Sequence, residues 1–208
     1  MKKNTLILVV GSINADLIAY TSSASQRANY AYGSDFELNL GGKSLNVALT
    51  ASTLTEEIAL ISRVGKDIFG AEILDRLTRR GIVTQYIKID QTAHTGVGHV
   101  RVDEHGQYDT FVINGANWNL EESDVDAFLA DGHEPRYVVF NFETDIRLLK
   151  KIIPTFKALG SKIVVNFSPI VNDMRDLLSM VDIAVMNLEE AQQILNDVDK
   201  DPLLLLQR

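Results

Sequence analysis

The stretch Leu6-Ile7-Leu8-Val9-Val10-Gly11-Ser12-Ile13-Asn14-Ala15-Asp16 decides how the rest of the chain reads. Its apolar run, residues 6–10, does not alternate with polar residues, so a strand formed there is buried on both faces and belongs inside a parallel sheet. The run is too short for a membrane span, and the glycine and polar residues that close it do not suit a signal peptide. Four similar runs follow, at residues 58–62, 137–141, 162–166 and 183–186. Their repetition at wide intervals leaves room for a helix between strands, as a parallel connection requires.

The intervening segments carry helical periodicity. Asp67 can cap a helix whose apolar positions are Phe69, Ile73, Leu74 and Leu77, and Arg79-Arg80-Gly81 puts cations and a glycine where a C-terminus favours them. Residues 145–159 place Ile146, Leu149, Ile152, Ile153 and Phe156 at helical spacing, with Pro154 inside, which is expected to kink or shorten the helix. The pattern predicts an α/β fold, a Rossmann-like three-layer, mostly parallel sheet with helices on both faces. A second kind of segment interrupts it. Residues 96–102 and 108–113 are β-type runs joined by Asp103-Glu104-His105-Gly106, and residues 36–40 form another strand candidate, so a small separate sheet is expected. With no repeat and no long linker, the reading is one α/β domain over 1–208 with a β appendage.

Composition narrows the function. A formal net charge of −8, with no Lys/Arg cluster longer than a pair such as Arg79-Arg80, argues against nucleic acid or an anionic membrane as partner. The absence of cysteine excludes disulfides, thiolate metal sites and a cysteine nucleophile, and suits a reducing, cytoplasmic setting. His94, His99, His105 and His133 lack zinc-type spacing, and no Gly-x-Ser-x-Gly elbow is present.

In open parallel sheets ligands bind beyond the carboxyl ends of the strands, so polar residues that directly follow apolar runs carry weight. The first run leads to Asn14 and Asp16, the run at 137 to Asn141 and Glu143, that at 162 to Asn166, and that at 183 to Asn187 and Glu190. Any one of these could simply cap a turn or helix. Gathered at one rim, amides and carboxylates supply the donors and acceptors that a polyhydroxyl ligand such as a sugar needs. Gly41-Gly42-Lys43-Ser44-Leu45-Asn46 precedes a helix-like segment with Val47, Ala48, Ala51 and Leu54, where glycines admit a close ligand and free N–H groups favour oxygen atoms. It is not a P-loop, because Glu37 stands where that motif needs its first glycine. Gly96-Val97-Gly98 lacks the third glycine of a dinucleotide fingerprint and reads as strand glycines at a close approach.

The run Val10-Gly11-Ser12-Ile13-Asn14-Ala15-Asp16, then Gly41-Gly42-Lys43-Ser44-Leu45-Asn46-Val47-Ala48 and Val64-Gly65-Lys66-Asp67-Ile68-Phe69-Gly70, resembles the first signature of the ribokinase-like (PfkB) carbohydrate kinases. Thr95-Gly96-Val97, Asn114-Gly115-Ala116-Asn117, Glu143, Val165-Asn166-Phe167-Ser168-Pro169 and Asn187-Leu188-Glu189-Glu190 extend the resemblance along the chain. It implies an ATP-dependent kinase acting on a small carbohydrate, a pentose such as ribose in first place because lysine follows the glycine pair. It further implies that Asn14, Asp16, Gly42, Lys43, Asn46 and Glu143 bind the sugar, and that Asn187 and Glu190 organise Mg2+ and the ATP phosphates, with Glu190 meeting the metal through water. The β appendage, segments of about 17–40 and 95–114, would be the family's lid, which closes over the sugar and can support a homodimer.

Three departures qualify the resemblance. Ser25-Gln26-Arg27-Ala28-Asn29-Tyr30 stands where a Pro-Gly-Glu turn is usual, and Ser44-Leu45 replaces a smaller pair. No Gly-Ala-Gly-Asp occurs, so the aspartate base and glycine anion hole that the family implies have no counterpart, and no catalytic residue is assigned. Asp201-Pro202 opens a helix with only Leu203 to Arg208 after it, which reads as a core element begun and cut off. The expectation is therefore a truncated ribokinase-like fold, incomplete as a kinase by itself. A non-catalytic sugar-binding or dimerising protein, or a non-functional gene fragment, is the alternative.

Overall fold

In the computed structural model, residues 6–21, 32–55 and 57–195 are described. The segment 25–30 and the helix opening at Asp201-Pro202 lie outside them. The chain folds as the sequence predicts, into an α/β body whose parallel sheet is flanked by helices, with a second small sheet.

The main sheet contains β1 (Ile7–Val10), β4 (Ile58–Gly65), β5 (Ile87–Asp90), β8 (Tyr137–Phe140), β9 (Lys162–Asn166) and β10 (Ile183–Val185), in the order β10-β9-β8-β1-β4-β5. Every pairing in it is parallel. β1 lies between β4 and β8, and Leu8, Val9 and Val10 are all buried, which accounts for its unbroken apolar run. α1 (Lys43–Ser52) and α2 (Ile68–Arg79) cover one face, where Val9, Leu45, Ala48, Leu60, Ile73 and Leu77 form a core. α3 (Glu122–Ala130), α4 (Ile146–Ala158) and α5 (Leu188–Leu195) contribute to the larger core on the other face, with Phe128, Phe140, Phe156 and Phe167 fully buried. On the α1 side, Val164 of β9 and the half-exposed Ile183 and Val185 of β10 continue the face of Val139, and no described helix covers β10 there.

Asp67 caps α2 by accepting from Gly70 N, and Gly81 beyond the helix end has φ +72°, as the cap signals predict. α4 runs through Pro154 to Ala158, so the proline does not shorten it. Proline removes a single N–H donor, while the buried Leu148, Leu149, Ile152, Ile153 and Phe156 keep the helix on the sheet.

The second sheet has the order β3-β2-β6-β7, from β2 (Asn14–Thr21), β3 (Gly33–Gly41), β6 (Gly96–Val102) and β7 (Tyr108–Ile113). β2 and β6 are parallel, and the other pairs are antiparallel. The chain passes from β1 to β2 through only Gly11, Ser12 and Ile13, so one continuous stretch belongs to both sheets.

Arg63 on β4 links this frame to α3. Its Nε lies 2.7 Å from Asp124, its Nη2 2.5 Å from Glu121 and its Nη1 3.5 Å from Asp90, and Asp124 is buried. Lys88 Nζ also reaches Asp124, at 2.7 Å. Arg63→Ala leaves the buried Asp124 with the Glu121 backbone N–H and a single partly exposed cation, Lys88, and is expected to cost about 3 kcal/mol in a urea unfolding experiment.

Candidate functional site

The residues that follow the strands meet at one rim of the main sheet, where the second sheet is attached. Asn14 and Asp16 are alternate residues of β2 and so share a face. Asn14 is buried and pairs in register with Gly41 and Gly96, whereas Asp16 is half-buried and pairs with Asn39 and Gly98. A Cβ on Gly41 or Gly98 would overlap the Asp16 carboxylate, so these glycines keep it unobstructed on both sides. Gly96 and Gly98 are thus strand glycines at a close approach, as the sequence reading expects.

Among the described residues no donor reaches the Asp16 carboxylate. Burial, and then the nearby Glu143 charge, push its pKa up to about 6. Asp16 is therefore a carboxylate whose charge no described residue compensates, which is the condition for strong hydrogen bonds from ligand hydroxyls.

Glu143 is held differently. Its Oε2 accepts from Ser12 Oγ at 2.5 Å and from the Lys43 backbone N at 2.9 Å, and its own backbone N donates to Asn141 Oδ1 at 2.9 Å. Lys43 is the first residue of α1, whose N-cap, Gly42, has φ +94° and no side chain to cap with. A Cβ on Gly42 would come within 2.7 Å of Ser12 O. The other early donors of α1 are also occupied, with Leu45 N bonded to Ser12 O and Ser44 N facing Ser12 Oγ at 3.5 Å. This corrects the expectation of free N–H groups awaiting a ligand. The helix start is capped by Glu143 from another element, and the second oxygen of that carboxylate accepts no hydrogen bond among the described residues.

Behind this surface lies a buried polar layer. Ser44 Oγ donates to Val10 O, Asn141 Nδ2 to Ser44 Oγ and Ser62 Oγ to Gly11 O. Asn141, one of the polar residues read at the rim, is buried here and serves as support for Glu143. Sequence reasoning gave Ser12 no role of its own, and only its place beside the glycine turn of the first stretch marked it.

Lys43 and Asn46 border a groove of about 490 Å³ that Val47, Thr50, Ala51, Leu54 and Asn166 complete. Asn187 and Glu190 stand at the same rim after β10, two strand positions from β8, which is roughly 10 Å. They form a reciprocal pair, with Asn187 N donating to Glu190 Oε2 and Glu190 N to Asn187 Oδ1, both at 2.8 Å, as in a helix capping box. No contact joins this pair to Asp16 or Glu143 among the described residues. No group of three or more potential metal-ligating residues occurs among the described residues either. Glu190 keeps Oε1 outside the capping pair, which suits an ion that retains its waters and is held by one carboxylate together with phosphates.

The fold and rim define an α/β protein with a cluster of polar residues where a parallel sheet meets a small second sheet. The chain belongs to the pfkB family of carbohydrate kinases, whose family model matches residues 4–208. It is 28% identical over 186 residues to a ribokinase of Haemophilus influenzae, covering 89% of this chain and 61% of that protein. It is 27% identical over 168 residues to a deoxyribokinase of Salmonella typhi, covering 81% and 55%. The chain thus spans about three fifths of the length of the curated relatives it matches. Among solved structures, ribokinase from Giardia lamblia superposes with TM-score 0.86 at 26% identity, over 98% of this chain and 64% of that one. An Arabidopsis thaliana ribokinase complexed with ribose and ATP has the same fold, with TM-score 0.85 at 21% identity over 99% and 67%.

The raised pKa of Asp16 has a defined consequence for stability. Between its unfolded value near 4 and about 6 the folded state binds the extra proton, so this group's contribution to stability falls as pH rises through that window. Asp16→Asn is expected to stabilise the protein by about 1 kcal/mol at pH 7.5, a figure reduced because water screens the half-exposed group. The gain should vanish near pH 4, which melting temperatures measured across pH would show.

Proposed function

We propose that this chain binds a pentose, ribose or deoxyribose, at the rim formed by Asn14, Asp16, Gly42, Lys43, Asn46 and Glu143, as the sugar-binding part of a carbohydrate kinase. The observation that carries the reading is the pairing of two unlike carboxylates. Asp16 has no donor from the described protein, and Glu143 has one oxygen saturated and one open. A ligand with several adjacent hydroxyls supplies donors to both, and Gly41 and Gly98 leave the space for it. The names of the relatives, ribokinase and deoxyribokinase, support the same substrate class.

On this reading the second sheet, most of whose described strand residues fall within the segments of about 17–40 and 95–114, is a lid that shields the sugar from water. Exposed apolar residues on it, among them Phe36, Tyr108 and Phe111, favour a homodimer formed through the lid. Asn187 and Glu190 would hold Mg2+ and the nucleotide phosphates, and when bound these would supply the phosphoryl group and the positive charge that stabilises its transfer. The residues of this chain bind and orient the sugar. No Gly-Ala-Gly-Asp in the sequence offers the family's aspartate base, so transfer by these 208 residues alone is expected to be absent or very slow.

Isothermal titration calorimetry with D-ribose and 2-deoxy-D-ribose tests the reading. Saturable binding at pH 7.5, weakened at least tenfold by Asp16→Ala and progressively as pH drops below about 6, is expected. Absence of heat with every pentose and hexose tried would remove the proposal. Robust ADP release in a coupled assay with ribose, ATP and magnesium would overturn the catalytic part alone.

A further inference from the structure

Asn117 occupies an unusual position for a residue outside the ligand surface. It sits in the short 3-10 turn Gly115–Asn119, is almost completely buried, and grips the junction where the chain crosses from the main sheet to the second one. Its Oδ1 accepts from Ile13 N at 2.9 Å, while its Nδ2 donates to Ile13 O at 3.1 Å and to Asn14 Oδ1 at 2.7 Å. A side-chain amide can be turned over without changing its shape, but a backbone N–H cannot accept and a carbonyl cannot donate. Ile13 therefore dictates which end of the Asn117 amide is which. Asn117 in turn dictates Asn14, whose carbonyl oxygen must face the Asn117 donor and whose Nδ2 must face the other way.

The backbone at Gly96 is shaped to the same contact, because a Cβ there would overlap both Asn14 Oδ1 and Asn117 Nδ2. Three elements, the β1–β2 junction, β6 and the 3-10 turn, thus converge on one side-chain pair. Asn14 shares its face of β2 with Asp16, so the end of its amide turned from Asn117 is available to the ligand bound there.

We infer that Asn117 is a positioning residue that fixes the polarity of Asn14, so that this asparagine presents its amide N–H to a ligand oxygen beside the acceptor carboxylate of Asp16. The inference rests on the sugar-site reading and gives that site a division of labour. Asp16 accepts hydrogen bonds from ligand hydroxyls, and Asn14 donates one to a ligand oxygen. Without the restraint, Asn14 could present its carbonyl next to the Asp16 carboxylate, and two acceptors side by side would suit a ligand oxygen poorly.

Asn117→Asp is the informative substitution because it keeps size and the acceptor for Ile13 N but removes the donor to Asn14. Asn14 then gains by turning its Nδ2 toward the new carboxylate and its carbonyl toward the ligand. Calorimetry with D-ribose and 2-deoxy-D-ribose is expected to show affinity lowered about tenfold or more in Asn117→Asp. In an Asn14→Ala background the same substitution should change affinity less than twofold, since no amide is left to orient. A merely structural role predicts the same loss in both backgrounds, and that result would overturn the inference.

Thermal unfolding of each variant shows whether it is folded. If Asn117→Asp does not fold, Gly96→Ala, which drives a methyl between the two amides, replaces it in the same cycle with the same expectation. Wild-type protein that binds neither sugar would overturn the sugar-site reading itself. Wild-type protein that binds, with Asn117→Asp of equal affinity, would overturn this inference and leave that reading intact.

Discussion

The Glu143 carboxylate seated on the first turn of α1 is the interaction on which the site depends. A helix start carries N–H groups with no partner inside the helix, and α1 begins at a glycine that has no side chain to offer them. Glu143 arrives from the end of β8 and takes the Lys43 N–H and the Ser12 hydroxyl on one oxygen. The end of β1, the start of α1 and the end of β8 are thereby fixed to each other by hydrogen bonds to a charged group, worth about 1.5–3 kcal/mol each. Ser44, Asn141 and Ser62 form a buried layer beneath that leaves none of their side chains unpaired. With one face committed to the protein, the carboxylate has a single open oxygen, in a position set by three elements at once.

Asp16 represents the opposite solution. The second sheet approaches it with Gly41 on one side and Gly98 on the other, and glycine in a strand interior weakens the strand. The charge at Asp16 is also unfavourable in the free protein, as its raised pKa records. Both costs fall on a small sheet with little core of its own, so the anchoring must come from elsewhere. It comes from the crossing points. Asn117 grips Ile13 and Asn14 at one, and Asp67 accepts from Thr95 N and Oγ1 at another, with Thr95 Oγ1 bonded in turn to Gly65 N. The bonds that anchor the second sheet are thus concentrated at its roots, and the Asp16 side is left open.

Much of this was legible in the sequence because parallel strands write their own signal. The apolar runs of β1, β8 and β9 admit no other placement, and the polar residues that follow them fell at the rim because the chain has no other place to put them. The hairpin of β6 and β7 was equally plain, from β-type runs around a turn sequence. β5 was not, since Ile87-Lys88-Ile89-Asp90 is four residues of alternating character with no flanking signal. β2 was hidden for another reason. Asn14 and Asp16 look like the loop after a strand, and only pairing with both β3 and β6 makes them part of a second strand. The occupancy of α1's first donors was illegible too, because Glu143 lies a hundred residues from Lys43 and nothing local in either segment announces the partner.

The two helix starts at this rim show how differently one problem can be met. α5 is capped by its own neighbours, Asn187 and Glu190, three residues apart, so the geometry of that pair is local and would survive changes elsewhere in the fold. α1 is capped across the molecule, so its geometry exists only when β1, β8 and α1 are already assembled. A local cap gives a site that forms with its helix. A tertiary cap gives a site whose shape reports the folding of the whole body, and couples any ligand on Glu143 to the packing of α1. Glu143 and the start of α1 belong to the second kind and the Asn187–Glu190 pair to the first. Perturbations of the core should therefore loosen the Asp16–Glu143 region well before they disturb the pair after β10.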